Sequence, residues 1–220
     1  MRYHDRREAG RDLAQRLHER RSRDDLPVPL VLALPRGGVP VADEIARALG
    51  APLDVLVARK IGMPGREEYA LGAVAGGGPP VYDPQALAAA GYTPADLAPE
   101  AERAVREVRR REDTYRQGRP APDVAGRWVL VVDDGLATGS TARAAVRALR
   151  ERRPAHVTLA VPVGSPEGVA RLRADADDVE CPHRPPGFGA VGFYYDDFAQ
   201  LTDADVIAVL NAAATGPGPT

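Results

Sequence analysis

Short apolar runs bounded by turn residues alternate with amphipathic stretches along most of this chain. Ala9, Leu13 and Leu17 recur every four residues, which predicts a helix ending in the charged stretch ERRSRDD at 19–25. PLVLALP at 29–35 is an apolar run closed by prolines and predicts a buried strand. The glycine turn RGG at 36–38 leads into a helix carrying Val41, Ile45 and Leu49, stopped by Gly50. LDVLVA at 53–58 predicts a second buried strand, and a βαβ order of this kind builds a parallel sheet with helical crossovers. The alternation resumes with a strand at WVLVV (128–132), a helix at 141–150 with Ala142, Ala145, Val146 and Leu149 on one face, and a strand at HVTLAVPV (156–163). Ser165-Pro166-Glu167 is a helix start, a hydroxyl cap followed by proline at the first helical position. Thr202 and Asp205 form a capping box for a last helix through about Leu210.

Four segments depart from this pattern. Residues 60–83, KIGMPGREEYALGAVAGGGPPVYD, are rich in glycine and proline with short β-like pieces at 71–74 and 80–82. They predict a long mobile loop or ribbon, and loops of this length are usually functional or disordered. PEAERAVREVRRREDTYR at 99–116 is helical, and its glutamates interleave the arginines at three- and four-residue spacing, so a solvated face is expected. Residues 178–198 are irregular and aromatic, and the tail at 214–220 is expected to be disordered. The chain is thus expected to form one α/β domain over 1–213, with a flexible loop at 61–80.

Composition narrows the class. Apolar residues at 44% and charged residues at 27% suit a folded core. A net charge of −2 gives no broad electrostatic footprint for nucleic acid. One cysteine, Cys181, rules out an intramolecular disulfide framework. The polar start lacks a signal-peptide core, and no run approaches the roughly 18 apolar residues of a membrane span. A cytoplasmic protein with no membrane partner is expected.

The chemistry concentrates in VLVVDDGLATGST at 129–141. In an open parallel sheet, ligands bind outside the carboxyl ends of the strands, where Asp133 and Asp134 fall. The small-residue loop after them lets backbone N–H groups converge on an anion at a helix start. Thr138, Ser140 and Thr141 add hydroxyls. Neither GxxxxGK[ST] nor the GxGxxG spacing occurs at this loop. Two carboxylates beside a phosphate need hydroxyls or a hydrated Mg²⁺ as partners. A ligand with a phosphate at one end and a diol beside it, such as ribose 5-phosphate, satisfies both halves.

This stretch resembles the phosphoribosyl-pyrophosphate motif of the type I phosphoribosyltransferases, with Gly135 standing where an aliphatic residue is usual. The resemblance implies a Rossmann-like parallel-sheet core with helices on both faces, a flexible loop or β-ribbon, and a small C-terminal hood at about 178–198. It implies that Asp133 and Asp134 take the ribose hydroxyls and contact Mg²⁺ only through water or ligand. Ala137, Thr138, Gly139, Ser140 and Thr141 would then wrap the 5′-phosphate. LPRGG at 34–38 sits where the family has its pyrophosphate loop, so Arg36, Gly37 and Gly38 would meet the leaving group, with Arg36–Gly37 as the strained, sometimes cis, peptide. Lys60 would join them, and the loop at 61–80 would close over the site to exclude water, bringing Glu68 as a candidate catalytic residue beside Lys60 and Asp134. Phe188, Phe193, Tyr194 or Tyr195 would line the acceptor hood. Ala137 replaces the aspartate of the 6-oxopurine members, and the ATG pattern is nearer the adenine type. PRGGVP at 35–40 and AVGFYYDDF at 190–198 resemble a group of bacterial members of unassigned acceptor. The reaction implied is transfer of the phosphoribosyl group to a nucleobase-like nitrogen with release of pyrophosphate, by a possible homodimer. A regulator that senses phosphoribosyl pyrophosphate or a nucleotide on the same fold is the alternative.

Overall fold

The computed structural model describes residues 1–215, with only the backbone of Glu68. Its centre is a five-stranded sheet in the order β2–β1–β6–β7–β8, all neighbours parallel. The strands are β1 (Leu30–Ala33), β2 (Leu53–Val55), β6 (Trp128–Val132), β7 (His156–Ala160) and β8 (Asp178–Glu180). Every residue of β1 and β6 is buried, as unbroken apolar runs in a sheet covered on both faces must be. Side-chain alternation splits these strands between two cores. Val31, Ala33, Leu130 and Val132 face a core shared with α1 (Arg6–Asp24), α2 (Gly38–Leu49), α4 (Ala98–Arg116) and α7 (Asp203–Thr215). Leu30, Leu32, Val129 and Val131 face one shared with α5 (Ser140–Arg150) and α6 (Pro166–Leu172). The expected Rossmann-like sheet with helices on both faces is what the chain builds.

Helix ends follow their capping chemistry. Gly50 closes α2 in the left-handed conformation at φ 59°, where a residue without Cβ is favoured. Ser165 caps α6 by accepting from the N–H of Gly168, and Thr202 and Asp205 exchange both bonds of a capping box. α7 runs past Leu210 to Thr215 through the helix-favouring stretch NAAAT. Residues 216–220 of the expected tail lie outside the described residues.

Between β2 and α4 the chain forms a second sheet, the ribbon of the loop-or-ribbon expected there. β3 (Ala58–Met63), β4 (Arg66–Ala75) and β5 (Val81–Tyr82) pair antiparallel, and β2 ends at Val55 where the sequence suggested a strand through 58. The glycines that read as loop signals are strand glycines at close approaches. A Cβ on Gly62 would fall 2.5 Å from the carbonyl of Glu67, beside a bulge, and one on Gly72 would fall 2.6 Å from that of Val81. α3 (Pro84–Ala90) then links the ribbon to α4. The arginine-rich face of α4 is exposed over most of its length, but Glu112 and Arg116 are buried against Asp54.

Candidate functional site

Numbering only the central strands in chain order gives 2-1-3-4-5, so the sheet reverses direction between β1 and β6. In doubly wound sheets the crevice outside the carboxyl ends at this reversal is where ligands bind. The loops that meet there are Leu34–Gly37 after β1 and Asp133–Gly139 after β6.

The two loops are in close contact. The N–H of Leu34 donates to Val132 O at 2.8 Å, carrying the β1–β6 ladder one step beyond the strands. A Cβ on Gly37 would fall 2.2 Å from Oδ2 of Asp134, and one on Gly38 would fall 2.4 Å from the carbonyl of Val132. The glycines of the RGG turn are therefore set by the approach of the acid pair and its strand. The cis peptide is Pro35–Arg36, one bond before the Arg36–Gly37 bond suggested by the resemblance. Gly37 itself has ordinary right-handed helical angles, and Gly38 already donates its N–H to Leu34 O as the first turn of α2. Arg36 stands 3.7 Å from a carboxylate oxygen of Asp203, at the start of α7.

Asp133 and Asp134 are half-buried where β6 ends. Asp133 Oδ1 accepts from the N–H of Asp134 at 2.9 Å, and Asp134 Oδ2 accepts from Arg6 Nε at 2.8 Å. Burial, and then the charge of Asp134, hold the Asp133 carboxyl well above the ordinary carboxylate range. Burial also raises Asp134, against the hydrogen bond and charge of Arg6. Among the described residues no cluster of three potential metal-ligating side chains occurs, so the acid pair supplies no closed cation site of its own.

The small-residue loop is anchored at one side and open at the other. Leu136 exchanges backbone bonds with Val163 and Ser165, and the Ser165 hydroxyl donates to Ala137 O at 2.6 Å while accepting from Gly168. Ala137, Thr138 and Thr141 are exposed, and Ser140 is half-buried. Gly139 precedes α5 at φ 73°, with no side chain capping the helix and no acidic residue in its first turn. The Thr138 and Ser140 hydroxyls lie 3.3 Å apart across this opening. Uncapped N–H groups at the start of a three-turn helix, with hydroxyls beside them, can hold a phosphate.

The other candidate residues lie further out. Lys60 is on β3 in register with Ala73, and Glu68 is on β4 with its side chain outside the described residues. In the hood region Phe188 and Tyr194 stack on each other with ring centres 5.1 Å apart, and Phe193 is 70% exposed. Gly135, the departure from the motif, is filled from this region: a Cβ there would fall 2.5 Å from a methyl of Val191. Sequence reasoning missed Val191, Arg6 and Ser165; Tyr195, one of the expected hood aromatics, instead donates its hydroxyl to Asp134 O at 2.6 Å. Ser165 had a signal, its helix-capping position; Val191 reaches Gly135 from 56 residues away and Arg6 reaches Asp134 from 128, distances at which spacing says nothing.

Topology thus puts this chain among the doubly wound α/β proteins with a ligand crevice at the sheet's reversal point. The family is more specific: the phosphoribosyl transferase domain matches residues 2–197, and the chain belongs to that family. It is 42% identical over 211 residues to the Mycobacterium tuberculosis protein named "Putative phosphoribosyl transferase Rv0571c", covering 96% of this chain and 47% of that protein. The chain therefore spans about half the length of that relative. The crystal structure of TT1426 from Thermus thermophilus is similar at a TM-score of 0.85 and 48% identity, covering 96% of this chain and 98% of the other. A shorter match, 41% identical over 69 residues, joins 31% of the chain to 32% of the uracil phosphoribosyltransferase of a Nocardioides species.

Proposed function

We propose that this protein is an enzyme that binds 5-phosphoribosyl 1-pyrophosphate with Mg²⁺ and transfers the phosphoribosyl group to a nitrogen of a nucleobase-like acceptor, releasing pyrophosphate. The observation that carries the reading is the juxtaposition at the reversal point: two half-buried carboxylates followed directly by an uncapped helix start. The Thr138–Thr141 amides and hydroxyls hold the 5′-phosphate, and the unpaired carboxylate oxygens of Asp133 and Asp134 accept from the ribose hydroxyls. The pyrophosphate lies toward Arg36, Gly37, Gly38 and Lys60. The donor set suits a hard cation, because burial already disfavours charge on both carboxylates and a nearby cation relieves that penalty. Asp133 and Asp134 would hold Mg²⁺ as indirect partners, through water or ligand. When bound, it would neutralise charge on the departing pyrophosphate.

The protein's own work is positional. It aligns C1 of the donor with the acceptor nitrogen and shields a sugar cation from water, for which the β3–β4 ribbon, with Lys60 and Glu68, is the lid. The hood, with Phe188, Phe193 and Tyr194, covers the acceptor. Residues 1–213 act as one unit in this reading, in the cytoplasm. Uracil and adenine head the panel of acceptors, uracil because of the Nocardioides match and adenine because Ala137 lacks the carboxylate of the 6-oxopurine pattern.

The test is calorimetry with the donor and Mg²⁺ on the wild type and on the Asp133→Asn/Asp134→Asn double variant. The expected result is binding in the first and none in the second, with both melting cooperatively. Wild-type affinity in the double variant contradicts the assignment. Pyrophosphate release across the base panel then separates enzyme from sensor: donor binding with release stimulated by no base favours the sensor.

A further inference from the structure

Asp134 is gripped from outside its own motif. Arg6 opens α1, whose start is fixed by Asp5 accepting from the N–H of Glu8 at 2.8 Å. Its side chain is only 11% exposed. Nε donates to Asp134 Oδ2 at 2.8 Å, and a terminal nitrogen donates to Ala199 O at 3.0 Å. The guanidinium carbon stands 3.8 Å from the centre of the Phe198 ring, which stacks on Tyr195 at 5.1 Å. Tyr195 in turn donates its hydroxyl to Asp134 O at 2.6 Å. Tyr3 and Tyr195 form a parallel bridge, so the N-terminal segment and the hood move as one piece. One acid of the pair is thus held twice, at its carboxylate and at its carbonyl, by a single clasp built from the N-terminal segment and the stretch that precedes α7.

We propose that Arg6 is a positioning residue of the donor site: it fixes the Asp134 carboxylate and ties the hood to it through Phe198 and Ala199. This rests on the reading that the acid pair holds the donor's diol. Among the described residues no other side chain donates to the Asp134 carboxylate; Arg6 and the close approach of Gly37 set its rotation and leave Oδ1 to a ligand hydroxyl. The role needs a planar fork that bonds in two directions while an aromatic ring covers its face, which an ammonium group does not supply. Without Arg6, two neighbouring half-buried acids would also face each other with no cation in contact, and the Asp134 side chain would turn away. Donor affinity and hood order are therefore coupled through one side chain.

The experiment uses the full chain as wild type, Arg6→Gln, Arg6→Lys and Phe198→Ala. Two readouts are taken: donor affinity by calorimetry with Mg²⁺, and amide hydrogen exchange over residues 190–199 without ligand. Arg6→Gln is expected to weaken the donor tenfold or more and to speed exchange in 190–199, with β1 and β6 unchanged. Arg6→Lys restores affinity in part and hood protection little. Phe198→Ala, which removes the ring packed on Arg6 and Tyr195, speeds hood exchange and weakens the donor by about threefold. Wild-type affinity and hood exchange in Arg6→Gln overturn the proposal, as does tighter donor binding, which would make Arg6 a competitor of the ribose. If Arg6→Gln fails to fold, unchanged hood exchange in both Arg6→Lys and Phe198→Ala overturns it. A wild type that binds no donor removes the functional reading and the donor half of this proposal, while exchange over 190–199 still decides whether the clasp exists.

Discussion

Gly37 and Gly38 are neighbours with opposite burdens. Adding a methyl to an exposed helical glycine ordinarily stabilises by about 0.5–1 kcal/mol. At Gly38 the methyl would meet backbone, the carbonyl of Val132 at 2.4 Å and Cα of Asp133 at 2.9 Å, in the middle of the sheet. Backbone there has nowhere to go, so Gly38→Ala is expected to destabilise by about 1–3 kcal/mol, which is about 2–12 °C in the melting temperature of a chain this size. At Gly37 the methyl meets the Asp134 carboxylate, a side-chain end that can yield only by loosening its bond to Arg6. Gly37→Ala should then lose donor affinity and melt between wild type and Gly38→Ala. Calorimetric melting and donor titration of the two variants separate the cases; equal melting temperatures would refute the backbone argument. Cys181 tests the same region from another side. It is 1% exposed, and burial lifts its thiol to about 12, so at pH 8 almost no thiolate is present. Alkylation followed by mass spectrometry should proceed only as fast as the protein opens, and rapid labelling of the native state would contradict the packing under β8.

α4 carries a buried charge cluster on an otherwise solvated helix. Arg116 pairs with Asp54 at 2.9 Å and with Glu112 at 3.2 Å, and donates to Val55 O at 3.0 Å. Glu112 Oε1 has no partner, and burial raises its carboxyl above the ordinary value of 4.5 despite Arg116. A carboxyl whose folded pKa is raised favours folding while it is protonated and loses that contribution as pH rises from about 4.5 through the folded value. Glu112→Gln removes this dependence. The stability of wild type relative to the variant should therefore fall as pH rises above about 4.5 in urea unfolding, and a rise would show that Arg116 outweighs burial. The same helix shows what the sequence could and could not convey. Elements with a single apolar period and a marked end, such as α2 before Gly50 and α6 after Ser165, were legible because local chemistry decides them. Glu112 and Arg116 were not, since their period is that of a solvated face and only Asp54 on β2 makes them a buried pair. The ribbon was legible only as one of two readings, loop or ribbon, because its strand glycines carry the signature of a loop. The candidate donor motif was legible because 133–141 is contiguous, whereas Arg6 and Val191 join the candidate site only through the fold.

For the molecule as a whole, the decisive feature is that the ribbon and the central sheet share no strand pairing among the described residues. The ribbon packs on α4 and α5 and is fastened at its base, where Arg152 donates to Gly76 O at 3.3 Å and to Pro122 O at 2.8 Å. Ile61, Leu71 and Val74 are buried at that base, while 64–67 at the tip are exposed. A two-stranded tip beyond its last buried contact is marginal in water and opens at little cost. A fixed base with an open tip is the geometry of a lid whose closure the ligand must stabilise, since a ligand shifts an equilibrium only by what it contacts in one state and not the other. Amides at 62–67 should therefore exchange faster than those of β1, β6 and β7 in the free protein, and slow on adding the donor with Mg²⁺, while those at the base change little. Protection confined to 133–141 and 36–38, with the tip unaffected, would mean that the donor binds without engaging the ribbon. Catalysis would then have to shield its sugar cation with the hood alone, and the ribbon would lose its part in the reaction.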